Sequence, residues 1–166
     1  MRKLTLIGMA GLAVVLIILL MFRLFPSDAT LIRRKLDKMA QLTSFSNSES
    51  AIARLAVVNR LSAFFQSELV IRLDNVNPDY GSIEGRDQLR QVLAAVRTHL
   101  QRLRVEFLDY RIEVADNRQS ATAWLTALAD VNQEQNAVVQ QLRIRLTKTE
   151  GEWLIAEIQT IRALGR

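Results

Sequence analysis

The chain has 166 residues, with 22 Lys and Arg against 17 Asp and Glu, a single histidine and no cysteine. The missing cysteine excludes disulfides and thiolate metal sites. The formal charge of +5 makes no case for nucleic acid, because the first 26 residues hold Arg2, Lys3 and Arg23 and no acid, leaving 19 basic against 17 acidic residues in the rest.

Residues 4–22, LTLIGMAGLAVVLIILLMF, form an uncharged run bounded by Arg2 and Lys3 before it and Arg23 after it. As a helix it measures about 28 Å, close to the roughly 30 Å hydrocarbon layer of a bilayer. A cleavable secretory signal has a shorter apolar part, and the weak small-x-small match at Ser27-Asp28-Ala29 lies beyond Arg23 and Pro26. The run therefore reads as an uncleaved single-pass anchor, with the lipid bilayer as its partner. Orientation has two readings. Arg23, Arg33, Arg34, Lys35 and Lys38 outnumber the two basic residues before the run, which places the following domain in the cytoplasm. A two-residue basic stub before an apolar run has the form of a bacterial signal-anchor, which places the domain in the periplasm, and this second reading is adopted. The expected division is an anchor unit over residues 1–26 and one domain over residues 27–166.

Pro26 interrupts the anchor, and Ser27 or Asp28 can cap a new helix in which Ile32, Leu36, Met39 and Ala40 recur at helical spacing to about Ser44. Arg33, Arg34, Lys35, Asp37 and Lys38 fall on its other side. The serine-rich stretch 44–50 reads as a connection. Residues 49–66 carry Ile52, Leu55, Ala56, Val58, Leu61, Phe64 and Phe65 around most of a helical circumference, which predicts a largely buried helix. A strand over 68–74, a turn-rich loop and a short return strand follow. After Gly85, Leu89, Val92, Leu93, Val96, Leu100 and Leu103 form the stripe of a third helix ending near Gln101. Four strands are predicted over 104–115, 120–131, 138–148 and 152–162. Their short connections favour an antiparallel meander, and a change of phase between Phe107 and Leu108 predicts a bulge.

This order of elements, with YGSIEGRDQL (80–89) and EGEWLIAEIQTIR (150–162), resembles the nuclear transport factor 2-like superfamily, which includes the SnoaL-like cyclases. The resemblance covers about residues 28–164. It implies an α+β fold in which an N-terminal transmembrane helix precedes a cone-shaped domain of three helices packed on a curved, mainly antiparallel sheet. It also implies a pocket inside the cone and an outer sheet face that often dimerises. Ketosteroid isomerase-like members use an acidic base with Tyr and acid donors, and limonene epoxide hydrolase-like members use an Asp-Arg-Asp set. Neither constellation aligns with this chain.

The candidate pocket residues are Arg72, Asp74, Tyr80, His99, Asp109 and Arg111. Asp109 and Arg111 stand two apart on one strand and hence on one face, with Tyr110 opposite, and Arg72 and Asp74 repeat the spacing. Both pairs have a plain alternative as ion pairs on a solvated sheet face. His99 falls at the edge of its helix's apolar stripe, where it reads as a packed edge residue rather than a general base. Trp153 reads as core. Trp124 and Leu128 share a face opposite Ala121, Ala123 and Leu125, so both faces of that strand are apolar; Trp124 and Leu128 are the candidate dimer face, with burial under the helices as the alternative. With one histidine and no calcium-loop spacing, no metal is expected, and no cofactor motif occurs. The sequence therefore predicts a membrane-anchored noncatalytic binding or scaffold domain of the bacterial inner membrane, with a homodimer and an envelope protein as possible partners. Within the resembling family, the inner-membrane assembly factor of type IV secretion systems has a similar layout, although its cytoplasmic stub is far longer. The alternative is a tethered SnoaL-like enzyme or a binder of a small apolar ligand.

Overall fold

Ser27 begins the folded chain by accepting a hydrogen bond from the Thr30 amide at 3.2 Å, which starts helix α1 (Asp28–Thr43). In the computed structural model, residues 26–46, 50–73, 82–132 and 137–161 are described. The proposed anchor, Asp74 and Tyr80 lie outside them. Among the described residues no helix is long and apolar enough to cross a membrane. The predicted stripe of α1 is its buried face, with Ile32, Leu36, Met39 and Ala40 all inside.

The stretch predicted as a plain connection contains a strand, β1 (Phe45–Ser46), which pairs antiparallel with Leu103 and Arg102. Helix α2 (Ala51–Ser62) is shorter and far more exposed than its composition predicts, since only Val58, Leu61 and Ser62 are buried. An apolar circumference is buried only where neighbours exist on every side, and α2 packs mainly on the third helix with a smaller contact to α1. Phe64 and Phe65 leave the helix. The Ile155 amide donates to the Phe64 carbonyl at 2.9 Å, and Phe65 opens strand β2 (Phe65–Arg72) three residues ahead of its predicted start.

Strand β3 (Ser82–Glu84) returns antiparallel to β2. Gly85, at φ +78, then turns the chain into α3 (Gly85–His99) close to the Ser67 carbonyl, in a backbone conformation that suits glycine. The helix ends at His99 rather than Gln101. Asn132 causes this, because its Oδ1 accepts from the amides of Gln101 and Arg102 at 2.9 and 3.1 Å and draws both toward the sheet.

Strands β4 (Arg102–Val114), β5 (Ser120–Val131), β6 (Val138–Thr149) and β7 (Glu152–Ile161) form the predicted meander. Among the described residues the result is an α+β fold of three helices on a seven-stranded sheet, ordered β1-β4-β5-β6-β7-β2-β3. It is antiparallel except where β2 lies parallel to β7. The predicted bulge lies slightly later in β4 than expected. Leu108 pairs with Thr126 and Arg111 with Trp124, so one extra residue occupies β4, and Asp109 there adopts φ 54. A second shift falls in β7, where Arg145 pairs with Glu157 but Leu146 with Ile155. Such bulges increase local twist and bend the sheet. The inner face contributes Ala121, Ala123, Leu125, Ile144, Leu146, Trp153 and Ile155 to a core shared with Ile32, Leu36, Met39, Leu61, Phe65 and Leu69.

One charged residue sits at the edge of this core. Asp28 is 6% exposed, and its carboxylate accepts four side-chain contacts. Arg118 contacts Oδ2 through Nε at 2.8 Å and Nη2 at 2.7 Å, while Lys148 and the Trp153 indole donate to Oδ1 at 3.1 and 3.2 Å. These contacts fasten the start of α1 to the β4–β5 turn and to both strands of the β6–β7 hairpin. The hydrogen bonds from Arg118 and Lys148 outweigh the opposing effect of burial and hold the Asp28 pKa down to about 2, against an ordinary 3.8.

Two stability measurements check this account. Leu36→Ala, at a fully buried position, should lose about 2–5 kcal/mol in denaturant unfolding, while Ile52→Ala, at 81% exposure, should stay within about 0.5 kcal/mol. The Asp28 pKa is lowered on folding, so its contribution is present above pH 3.8 and disappears as pH falls toward 2. Asp28→Asn should therefore be less stable than the wild type at pH 7 and lose less stability between pH 4 and 2.

Candidate functional site

The pleat separates the sheet's two faces, and the outer one carries Arg72, Arg111, Trp124 and Leu128 among the predicted site residues. Trp124 and Leu128 lie on it, opposite buried Ala121, Ala123 and Leu125 on the same strand. Trp124 is half-buried. The Arg111 guanidinium stands 5.4 Å from the centre of its ring, and Arg143 is its register partner on β6. Leu128 sits between Glu106 on β4 and Val139 on β6, and Val139 and Leu108 are 60% and 43% exposed. Trp124, Leu128, Val139 and Leu108 thus form an apolar patch bordered by arginines.

The rest of that face is ionic. Arg72 on β2 bonds Glu157 on β7 at 3.1 Å, and Arg145 on β6 reaches the other carboxylate oxygen at 2.6 Å. Glu157 is covered by these two arginines and is 8% exposed. Arg111 pairs with Glu113, at 2.6 Å, rather than with Asp109. The cross-strand row Arg111–Trp124–Arg143–Gln159–Arg72 puts the two predicted arginines four strand spacings apart, about 19 Å.

The structure does not bring the described candidate pocket residues Arg72, His99, Asp109 and Arg111 together at one point. Asp109 is the bulge position and is exposed, and the extra residue breaks the simple alternation behind its predicted pairing with Arg111. Tyr110 turns to the inner side, where its hydroxyl donates to Asp37 on α1 at 2.6 Å. Burial, reinforced by the Asp37 carboxylate, raises the Tyr110 pKa well above its ordinary value and keeps the phenol protonated. His99 is exposed at the last position of α3. Asp74 and Tyr80 fall outside the described residues.

Two features were not foreseen in the sequence. Asp28, read only as a possible cap, is the buried anion that joins three elements. Its signal is the pair of cations at hairpin turns, Arg118 and Lys148, which sequence separation hides. Arg97, on the stripe-bearing helix α3, is 4% exposed, donates to the Leu42 carbonyl and stacks on Phe45 at 4.6 Å. The basic face predicted for α1 is likewise only partly solvated. Lys35 lies over Phe64 at 5.5 Å, and burial lowers its pKa against the opposing charge of Glu152.

Chemically, the outer face offers aromatic and aliphatic contact area with charged groups already engaged by neighbours. The interior offers an orphan hydroxyl, since Thr160 Oγ1 on buried β7 has no hydrogen-bond partner. Among the described residues no group of three or more acidic or histidine side chains could hold a metal ion.

No protein-family model and no curated protein matches the sequence. Solved structures match the fold at low identity. A protein of unknown function with a cystatin-like fold from Nostoc punctiforme aligns at 16% identity and TM-score 0.60, covering 84% of this chain and 96% of that one. A nuclear transport factor 2-like protein with a cystatin-like fold from Novosphingobium aromaticivorans aligns at 13% identity and TM-score 0.62, covering 95% and 91%. A scytalone dehydratase-like protein of the same organism aligns at 14% and 0.59, covering 80% and 83%. The three helices and mixed seven-stranded sheet of this chain therefore have the cystatin-like fold of nuclear transport factor 2-like proteins.

Proposed function

We propose that the protein is a membrane-tethered, noncatalytic binding or scaffold domain of the bacterial inner membrane, facing the periplasm and acting as a homodimer through the outer face of its sheet. The observation that carries this reading is the pairing of an uncharged 19-residue run over 4–22 with a domain whose first helical residue, Asp28, is locked into it. Five residues separate Phe22 from Asp28, so the fold begins close to the proposed tether. A loose linker would let the domain tumble. The clasped Asp28 instead holds the membrane-proximal end of α1 against two hairpin turns.

Among the described residues, three charged groups that face the interior are engaged structurally, which favours binding over catalysis: Asp28 with Arg118 and Lys148, Asp37 with Tyr110, and Arg97 with the Leu42 carbonyl. An acid–base catalyst needs such groups free to exchange protons with substrate. The dimer rests on Trp124, Leu128, Val139 and Leu108, an apolar cluster that a twofold contact would cover. The second reading, a tethered binder or enzyme for a small apolar molecule, is favoured by the unpartnered Thr160 hydroxyl on the inner face of β7. It predicts an apolar molecule released on denaturation of the purified protein and detected by mass spectrometry.

Two experiments test the main proposal. The full chain should stay in the membrane pellet after high-salt and alkaline washing, and external protease should digest its domain in spheroplasts. A released product starting near Thr30 would establish cleavage, and protection until lysis would establish the cytoplasmic orientation. In detergent, sedimentation of the full chain should show a dimer that Trp124→Glu converts to monomer with unchanged circular dichroism, because a charge buried at an interface carries a desolvation cost.

A further inference from the structure

The five residues between Phe22 and Asp28 add at most about 18 Å when fully extended. Strand β4, thirteen residues long, measures about 40 Å from end to end. A domain on so short a lead stands with one end near the bilayer and the other beyond it. Asp28 decides which end is near. Its carboxylate is held by Arg118 of the β4–β5 turn, by Lys148 at the end of β6 and by Trp153 at the start of β7. Helix α1 therefore starts beside both turns and runs along β4 to Ser44, whose hydroxyl bonds the Val105 backbone near that strand's other end.

The near end is built for water and headgroups rather than for hydrocarbon. Residues 116–119 of the first turn and 149–152 of the second are all exposed, and none of them is apolar apart from Gly151. Arg118 keeps 70% of its side chain accessible while it contacts Asp28. Beside it the two turns carry the carboxylates of Asp116, Glu150 and Glu152. A guanidinium among carboxylates matches a zwitterionic headgroup, which presents a phosphate and an ammonium side by side.

We infer that the β4–β5 and β6–β7 turns form a bilayer-facing surface seated among zwitterionic lipid headgroups, and that the Asp28 clasp holds the opposite end of the domain clear of the membrane. The inference rests on the proposed tether over 4–22. A domain lying flat would offer the lipid either its outer sheet face, which the proposed dimer covers, or α2, whose exposed Ile52 and Leu55 lie toward the end that the clasp turns away. The opposite end carries β1, the start of β4, His99 and Asn132.

The chain contains no cysteine, so each single-cysteine variant takes one thiol-reactive fluorophore. The full chain is reconstituted in phosphatidylcholine vesicles that include a lipid with a nitroxide on its headgroup, which quenches at short range. Labels at Asp116→Cys and Glu152→Cys, one on each turn, should be quenched at least twofold. Labels at His99→Cys at the far end, Thr126→Cys on the outer face and Ile52→Cys on α2 should keep nearly all their emission. Quenching at Thr126 or Ile52 equal to that at the turns lays the domain flat and overturns the inference, as does stronger quenching at His99 or none at any position. Stronger quenching of the turn labels when phosphatidylglycerol replaces half of the phosphatidylcholine overturns the assignment to zwitterionic headgroups. Flotation of the same vesicles separates this inference from the reading beneath it. A chain that does not float with lipid overturns the tether and the inference together, whereas a chain that floats with unquenched turns overturns the inference alone.

Discussion

The contact on which the arrangement depends is the buried carboxylate of Asp28 under Arg118, Lys148 and Trp153. A carboxylate removed from water is unfavourable unless opposite charge and hydrogen bonds replace its hydration, and both of its oxygens are supplied. Satisfying them requires the β4–β5 turn, the end of β6 and the start of β7 to converge on one point at the beginning of α1. Arg118 reaches that point from a turn where it has φ 53, and Lys148 lies over the Trp153 ring at 5.4 Å. The order of the meander, the position of α1 along β4 and the closure of the core at Trp153 are thus coupled through a single ionised group.

The faces of the sheet follow from the same economy of partners. Inside, β5 uses alanines and Leu125 against the core, and Asp28, Asp37 and Arg97 are each tied to a neighbour. Outside, Glu157 is shielded by Arg72 and Arg145, while Trp124 and Leu128 keep apolar area at the surface. The bulge at Asp109 connects the two environments, because the extra residue lets Tyr110 reach Asp37 on α1 while Arg111 returns to the outer face over Trp124. Exposed apolar area among the described residues consequently remains at Leu108 and Val139 on the sheet's outer face and at Ile52 and Leu55 on α2.

Much of the architecture was legible in the chain because local periodicity reports which side of an element is buried. The stripe Ile32, Leu36, Met39 and Ala40 is the buried face of α1, the bounds of β5 coincide with its reading at 120–131, and Gly85 opens α3. Periodicity failed where burial depends on neighbours rather than on pattern. Ile52, Leu55 and Ala56 look like core and are exposed because no described element covers them, and Phe45 pairs into the sheet although serines surround it. The site residues were less legible still. Spacing along β4 paired Asp109 with Arg111, yet the inserted residue at the bulge and the proximity of Glu113 gave Arg111 another partner.

By itself, the sequence determined the α+β class of the fold, the order of its elements other than β1, the apolar run over 4–22 and the two-faced character of β5, since each is written in composition and in spacing along one segment. Only the tertiary structure decided the burial of Asp28 and Arg97, the exposure of Ile52 and Leu55, and the separation of Arg72 from Arg111. Those properties depend on which distant segments meet. Asp28 and Lys148 stand 120 residues apart, and no local pattern encodes a contact whose energy comes from the desolvation and pairing of groups that only folding brings together.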